Sequence, residues 1–243
     1  MNTLEYKPLE RIKIGRPVNR IDMLKKISQG KYCLDVGALD ETAYFLKENS
    51  EFWLHKQLAS VAKKVIGVDL SNLIPQEDGI KTSENAIIYN FNIYNLGKTD
   101  KITNGVDISD FDIIVAGEVI EHLENPLEFL KLFTQKTELK GKTLVISTPN
   151  AQSFHNGLIG LFGMESTHED HLAIFSYKTL NTLCIRASAK DWNIVPTYSS
   201  FSEMKLSSKG FFKIIVHFFE YFVNLVEFIF PIRSGGYVVI INL

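Results

Sequence analysis

The chain has 243 residues and a mass of 27.6 kDa, with 45% hydrophobic and 22% charged side chains. These values match an ordinary folded globular protein and exclude disordered and fibrous classes. Lys and Arg total 26 against 28 acidic groups, a balance without the strongly cationic surface that backbone phosphates demand, so a dedicated nucleic-acid binder is not expected. The length suits a single α/β domain with appendages, because no internal repeat and no Gly/Ser/Pro linker divides it.

The charge is uneven. Residues 1 to 31 hold eight basic side chains (Lys7, Arg11, Lys13, Arg16, Arg20, Lys25, Lys26 and Lys31) against Glu5, Glu10 and Asp22. This basic N-terminal extension is read either as a solvated leader with a short helix near Ile21 to Ser28, or as a clamp for an anionic substrate. Its charges are scattered and it has no apolar core of signal-peptide length, so secretion is not expected. The two cysteines, Cys33 in a predicted strand and Cys184 in a predicted helix, suggest neither a disulfide framework nor a zinc cluster. A cytoplasmic setting is expected.

Seven runs rich in β-branched residues follow, with helical stretches between them: Tyr32 to Val36, Val65 to Asp69, Ala86 to Asn90, Phe111 to Ala116, Lys142 to Thr148, Trp192 to Ser199 and Tyr237 to Asn242. The fourth and fifth are almost wholly apolar, as strands covered on both faces should be. Between the first two, the stretch from Ser50 reads as an amphipathic helix with Trp53, Leu54, Leu58, Val61 and Ala62 inward, and His55 as a surface or packing residue. Asn125 and Pro126 form a helix start, with Leu127, Leu130 and Phe133 on one face, and Ser176 caps another helix. Alternating strands and helices predict a doubly wound α/β sheet, whose ligands bind at the carboxyl ends of the strands.

The first strand ends in "CLDVGALDE" and the second in "VIGVDLS". Gly37 allows a sharp turn and close ligand approach, and Asp69 can accept hydrogen bonds from two ribose hydroxyls. A dinucleotide fold would want G-x-G-x-x-G, yet Leu39 and Thr42 stand at the later glycine positions. Asp40 and Glu41 would set negative charge against a pyrophosphate, which disfavours NAD and FAD. A nucleoside with a cationic centre and an amino group suits those carboxylates better.

Together "LDVGA", "VIGVDLS", "DFDIIVAGEVIEHLENPLEFL" and "GKTLVISTPN" resemble a class I S-adenosylmethionine-dependent methyltransferase, in the branch of ubiquinone-pathway O-methyltransferases and of enzymes of glycan and natural-product clusters. The resemblance spans about Tyr32 to Ala189. It implies a Rossmann-like seven-stranded sheet with an antiparallel last strand, Tyr237 to Asn242, within one methyltransferase domain over residues 32 to 243. By the same analogy Asp35, Gly37 and Ala38 border the methionine part of S-adenosylmethionine, Asp69 and Leu70 the ribose side, and Asn92 approaches the adenine. The chain departs from the family in lacking the further loop glycines, and thirty-four residues separate Asp35 from Asp69 where a compact unit has about 20.

After the fourth strand, Glu118, Glu121 and His122 stand at helical spacing. If the chain turns helical there, two carboxylates and an imidazole share one face. The other reading is a polar edge backed by Val119, Ile120 and Leu123. A second segment, "STHEDHLAIFSYKTL", brings His168, Glu169, Asp170 and His171 after the fifth strand. The E-x-x-E-H pattern with this later His resembles the metal site of small-RNA 2′-O-methyltransferases, which implies Glu118, Glu121, His122 and His171 as ligands. Magnesium fits two carboxylates and two imidazoles in part; manganese, cobalt or zinc also suit them. Without metal, His122 or Glu118 would serve as general base toward an acceptor hydroxyl. Asn150, past the fifth strand, either binds substrate or caps its loop.

Residues 211 to 230 contain fifteen apolar side chains, with Lys213, His217, Glu220, Asn224 and Glu227 forming one polar stripe on a helix. Charges along its length argue against a transmembrane span, and two Glu in the stripe argue against a membrane-surface helix. Core packing and a homodimer interface are the expected uses. Its eight aromatic rings leave room for a lipid-linked substrate, with membrane association as a consequence. The helix belongs to an insertion over 200 to 235, before the last strand.

The sequence thus points to methyl transfer from S-adenosylmethionine to a hydroxyl of a small polar, glycan or lipid-linked acceptor. Two rivals are a nucleotide-dependent oxidoreductase and a noncatalytic partner in which Leu39 and Glu41 fill the cofactor site.

Overall fold

The computed structural model describes residues 9–39, 44–48, 50–103 and 105–243. In chain order the elements are α1 (Arg20–Ser28), β1 (Tyr32–Val36), α2 (Tyr44–Lys47), α3 (Leu54–Ala59), β2 (Lys64–Asp69), β3 (Ile80–Ser83), β4 (Ala86–Asn90), β5 (Lys101–Thr103), β6 (Val106–Asp107) and β7 (Ile113–Gly117). Then come α4 (Pro126–Thr134), β8 (Thr143–Pro149), α5 (Phe154–Gly160), α6 (Tyr177–Arg186), β9 (Asp191–Thr197), α7 (Ser202–Ser207), α8 (Gly210–Ile229) and β10 (Gly236–Asn242).

The main sheet runs β3-β4-β2-β1-β7-β8-β10-β9. All seven expected strands are present, and the eighth, β3, adds an antiparallel edge beside β4. β4, β2, β1, β7 and β8 are parallel, while β10 runs antiparallel to both β8 and β9, as expected of the last strand. β5 and β6 form a separate small ribbon. Winding reverses between β1 and β7, so a ligand crevice falls at the carboxyl ends of these central strands.

Alternation along the strands sorts two cores. Leu34, Val36, Ile114, Ala116 and Ile146 face α4 and α6 through Phe129, Phe133 and Leu180. Cys33, Val65, Ile113, Val115 and Val145 face α1 and α3 through Leu24 and Leu58. The expected starts of α4 and α6 are present: Asn125 accepts from the Glu128 N–H at 3.1 Å, and Ser176 from Thr179 at 3.3 Å.

Three expectations need correction. The helix read from Ser50 begins only at Leu54, because a turn bonded through the Ser50 hydroxyl precedes it. Within the basic extension, α1 is no solvated leader: Leu24 is fully buried, and Val18 pairs with Thr197 beside β9. Among the described residues of the extension, 9 to 16 form a mostly exposed arm, with Ile14 packed against the core. The 211 to 230 helix turns Glu220, Asn224 and Glu227 of its polar stripe inward with Val216 and Val223, and leaves most of its aromatic face outward, so the greater part of its apolar side does not pack the core.

Candidate active site

Gly37 ends β1 with φ +73°, a left-handed conformation that glycine adopts without a Cβ clash. A Cβ there would lie 2.6 Å from the Val119 side chain, so Val119 sits directly against the turn. The amides of Gly37 and Ala38 donate to the Val68 carbonyl, and the Leu39 N–H donates to Asp69 Oδ2 at 2.8 Å. Asp69, expected at the ribose, therefore holds the first loop against the end of β2. The Leu39 side chain is fully buried among Ala38, Trp53, Ile74 and Ile88. Asp40, Glu41 and Thr42 lie outside the described residues, and with them the expectation about Glu41.

Asp35 is 2% exposed, and its Oδ2 meets His55 Nδ1 at 2.9 Å. The His55 ring is wholly buried, with its other nitrogen 2.9 Å from the Thr82 hydroxyl. His55 is thus a packing residue that satisfies the buried acid beneath the loop, and so is not at the surface. Leu70 is exposed past β2, and a polar depression of about 240 Å³ opens beside it, lined by Ser71, Asn72, Gln76 and Asn90. Asn90 shapes its wall by donating to the Ser71 carbonyl at 2.7 Å. Asn92 caps the next turn through the Tyr94 N–H. A second cavity, of about 140 Å³, lies at the opposite end of the sheet beside Lys136 and Lys190.

At the end of β7 the chain does not turn helical. Glu118 takes φ +58°, a strained value for a side-chain-bearing residue, and only then does a single 3-10 turn, Ile120–His122, begin. The kink separates Glu118 from the face it was expected to share. Its Oε1 accepts from the Ser147 hydroxyl at 2.9 Å and from Arg20 at 3.4 Å, and Arg20 also donates to Ser147 at 3.0 Å. Among the described residues Glu118 is therefore not part of the metal-competent group.

Glu121, His122 and His171 do converge, offering donor atoms all within 4.8 Å of one another. The amides of Leu172 and Ala173 donate to the Glu121 carbonyl at 2.8 and 3.1 Å, and this clamp brings the two loops together. The rings of His122 and His171 stand edge to face, 4.6 Å between centroids. Glu121 is fully buried, and neither carboxyl oxygen has a hydrogen-bond partner among the described residues. Burial first, and the neighbouring Glu118 charge second, push its pKa up to about 9. The Thr148 hydroxyl nearby favours the ion without reaching hydrogen-bond geometry. His171 Nδ1 is likewise buried and unpartnered, and burial, then the charges of His122 and His168, lower its pKa. His122 Nδ1 meets Asp170 Oδ2 at 3.1 Å, an exposed pair that orients the ring.

Orphaned oxygens and an orphaned ring nitrogen in one cluster are what a divalent cation would satisfy, so Glu121, His122 and His171 fit such an ion. Asn150 caps its loop: its amide donates to the carbonyls of Ile232 and Ser234, and its Oδ1 accepts from Gln152. Sequence reasoning missed Arg20 and Ser147 as partners of Glu118, although Arg20 belongs to the basic cluster and Ser147 to the quoted "GKTLVISTPN" block.

This strand order, with its antiparallel last strand and a crevice at the central strand ends, defines a Rossmann-like methyltransferase fold. The chain belongs to the methyltransferase-domain family, whose model matches residues 11–192. No curated protein matches it. Among solved structures it is similar to an S-adenosylmethionine-dependent methyltransferase of Thermotoga maritima described as a possible histamine N-methyltransferase, at 15% identity and TM-score 0.52, covering 91% of this chain and 86% of that one. It is also similar to a small RNA methyltransferase, at 17% identity and TM-score 0.51, covering 98% of this chain and 27% of that one. A methyltransferase of Archaeoglobus fulgidus aligns at 18% identity and TM-score 0.49 over 92% and 94%. At these identities the likeness is one of fold.

Proposed function

We propose that the chain transfers a methyl group from S-adenosylmethionine to a hydroxyl oxygen of a small polar, glycan or lipid-linked acceptor, as in the ubiquinone-pathway branch, in a cytoplasmic setting. The observation that carries the reading is Glu121: a fully buried carboxyl without a partner, facing two imidazoles at the switch point of the sheet. Such a group costs stability, a cost that a bound ligand would offset.

S-adenosylmethionine would lie across the ends of β1 and β2. Its ribose hydroxyls are placed at Asp69, its methionine end beside Gly37, Ala38 and Val119 above the Asp35 and His55 pair, and its adenine between Leu70 and Asn92. The acceptor oxygen attacks the sulfonium methyl in line. The C–O bond forms as the C–S bond breaks, and S-adenosylhomocysteine leaves neutral at sulfur. Without a metal, His122, held by Asp170 through Nδ1, would take the hydroxyl proton on its other nitrogen. Glu118 is anchored through Oε1 by Arg20 and Ser147, and orients the acceptor or serves as the alternative base. A divalent ion of the magnesium or manganese type, held by Glu121, His122 and His171, would supply Lewis acidity to the acceptor oxygen. Residues 32 to 243 act as one catalytic domain, with the 200 to 235 insertion flanking the acceptor side and, of the basic segment, residues 17 to 31 folded against it.

The test is calorimetric. Wild type and Glu121→Gln should bind S-adenosylhomocysteine equally, whereas manganese should bind wild type alone. Equal manganese binding by both would remove Glu121 from the site.

A further inference from the structure

The α8 helix is laid on the protein by a narrow face, Val216, Val223 and Glu227 with Glu220 and Asn224 beside them, and leaves most of its apolar surface outside, contrary to the usual burial of a broad apolar face. Glu227 is fully buried, accepting from the Ser199 hydroxyl at 2.6 Å and its N–H at 2.9 Å, and Glu220 is paired with Lys205 at 2.9 Å. What faces solvent along this 20-residue helix is a band including Phe211, Phe218, Tyr221, Leu225 and Phe228, with Phe218 75% exposed. The band continues onto the turn after α5, where Leu161 and Phe162 are 81% and 72% exposed and Phe154 touches Phe222. A continuous apolar surface of this kind marks an interaction site.

We infer that this face docks the protein on an anionic lipid surface. The charge pattern selects that occupant. The acids of α8 are turned inward and satisfied, so the helix presents no anion outward. Its exposed charges are cations: Lys209 and Lys213 at the N-terminal end, and at the other end Arg16, stacked 4.6 Å over the Phe228 ring and donating to the Phe228 carbonyl. Arg11 and Lys13 extend the basic arm beyond it. Aromatic side chains flanked by cations suit the headgroup boundary of an anionic bilayer. A second copy on the same face would bring these basic ends together, whether the two helices paired parallel or antiparallel. The helix rests on the surface, since no helix among the described residues is long and apolar enough to cross a membrane. The platform also borders the site, because α5 starts just after Asn150 and the loop after α8 returns its carbonyls to Asn150.

Vesicle flotation of the full chain tests this without cofactor or acceptor, so its outcome is independent of the methyl-transfer reading. Vesicles of equal parts phosphatidylcholine and phosphatidylglycerol should carry the protein upward, and high salt or pure phosphatidylcholine should weaken binding at least about tenfold. Phe218→Asp with Leu225→Asp alters exposed positions only and should abolish flotation while leaving the circular dichroism spectrum unchanged. Lys209→Glu with Lys213→Glu should weaken flotation on anionic vesicles alone. Absence of flotation on every vesicle would overturn the inference. So would a stable dimer in light scattering that the Phe218 and Leu225 variant dissolves, because the occupant would then be a second copy.

Discussion

Replacing Glu121 by Gln should stabilise the protein, by an amount that depends on pH. The carboxyl is fully buried, both oxygens lack partners, and its pKa is pushed up to about 9 from an ordinary 4.5. Near pH 7 the folded chain holds this proton while the unfolded chain releases it, so wild-type stability falls as pH rises from about 4.5 towards 9. About two and a half pH units separate the unfolded value from pH 7, and at about 1.4 kcal/mol per unit the penalty is on the order of 3 kcal/mol. Gln has the shape of the protonated acid and does not titrate. The variant should therefore exceed wild type by about 3 kcal/mol near pH 7, or roughly 6 to 12 °C in midpoint, and by less than about 1 kcal/mol near pH 5. Thermal and urea unfolding without metal at the two pH values read the difference directly. A variant less stable than wild type near pH 7, or a gap that ignores pH, would refute the reasoning and mean that Glu121 has a partner in the folded chain. Methyl transfer by the variant should fall despite its stability.

Asp69→Ala removes both the proposed ribose acceptor and the acceptor of the Leu39 N–H. Losing two hydrogen bonds to a charged group should weaken S-adenosylhomocysteine binding at least about a hundredfold by calorimetry. His55→Ala leaves the buried Asp35 carboxyl without its 2.9 Å partner, so urea unfolding should show a loss of about 3 kcal/mol or more. Glu227 has a pKa raised to about 7, chiefly by burial, with the Ser199 bonds opposing. The folded chain again keeps a proton that the unfolded chain loses, so stability declines between about pH 4.5 and 7 and levels off above. Glu227→Gln should flatten that stretch of the wild-type profile, by up to about 3 kcal/mol across it.

The sheet was legible because its strands are short β-branched runs whose burial on both faces leaves few alternatives, and seven of eight were placed within two residues of their observed ends. β3 escaped notice: "IKTS" is an edge strand with alternating exposure and no continuous apolar run. The choice of Glu121, His122 and His171 as ligands came from the family resemblance, while the meeting of their segments was legible from loop order, since segments leaving neighbouring parallel strands meet at one end of the sheet. The placement of Glu118 was not, because the positive φ that swings it toward Ser147 leaves no trace in spacing. Nor did the pattern reveal which side of α8 is covered. A helix with one polar stripe has two possible inner faces, and burial of the stripe was settled by the partners Ser199 and Lys205 on other elements.

The central claim is that the carboxyl ends of β1 and β2, beside the reversal at β7, take S-adenosylmethionine despite the glycine-poor loop. Calorimetric titration of the purified chain with S-adenosylmethionine and S-adenosylhomocysteine, with and without manganese, addresses it most directly. The account predicts micromolar binding of at least one of them, lost in Asp69→Ala and kept in Glu121→Gln. No binding of either under any of these conditions would contradict it and leave a methyltransferase-like fold that works without the cofactor.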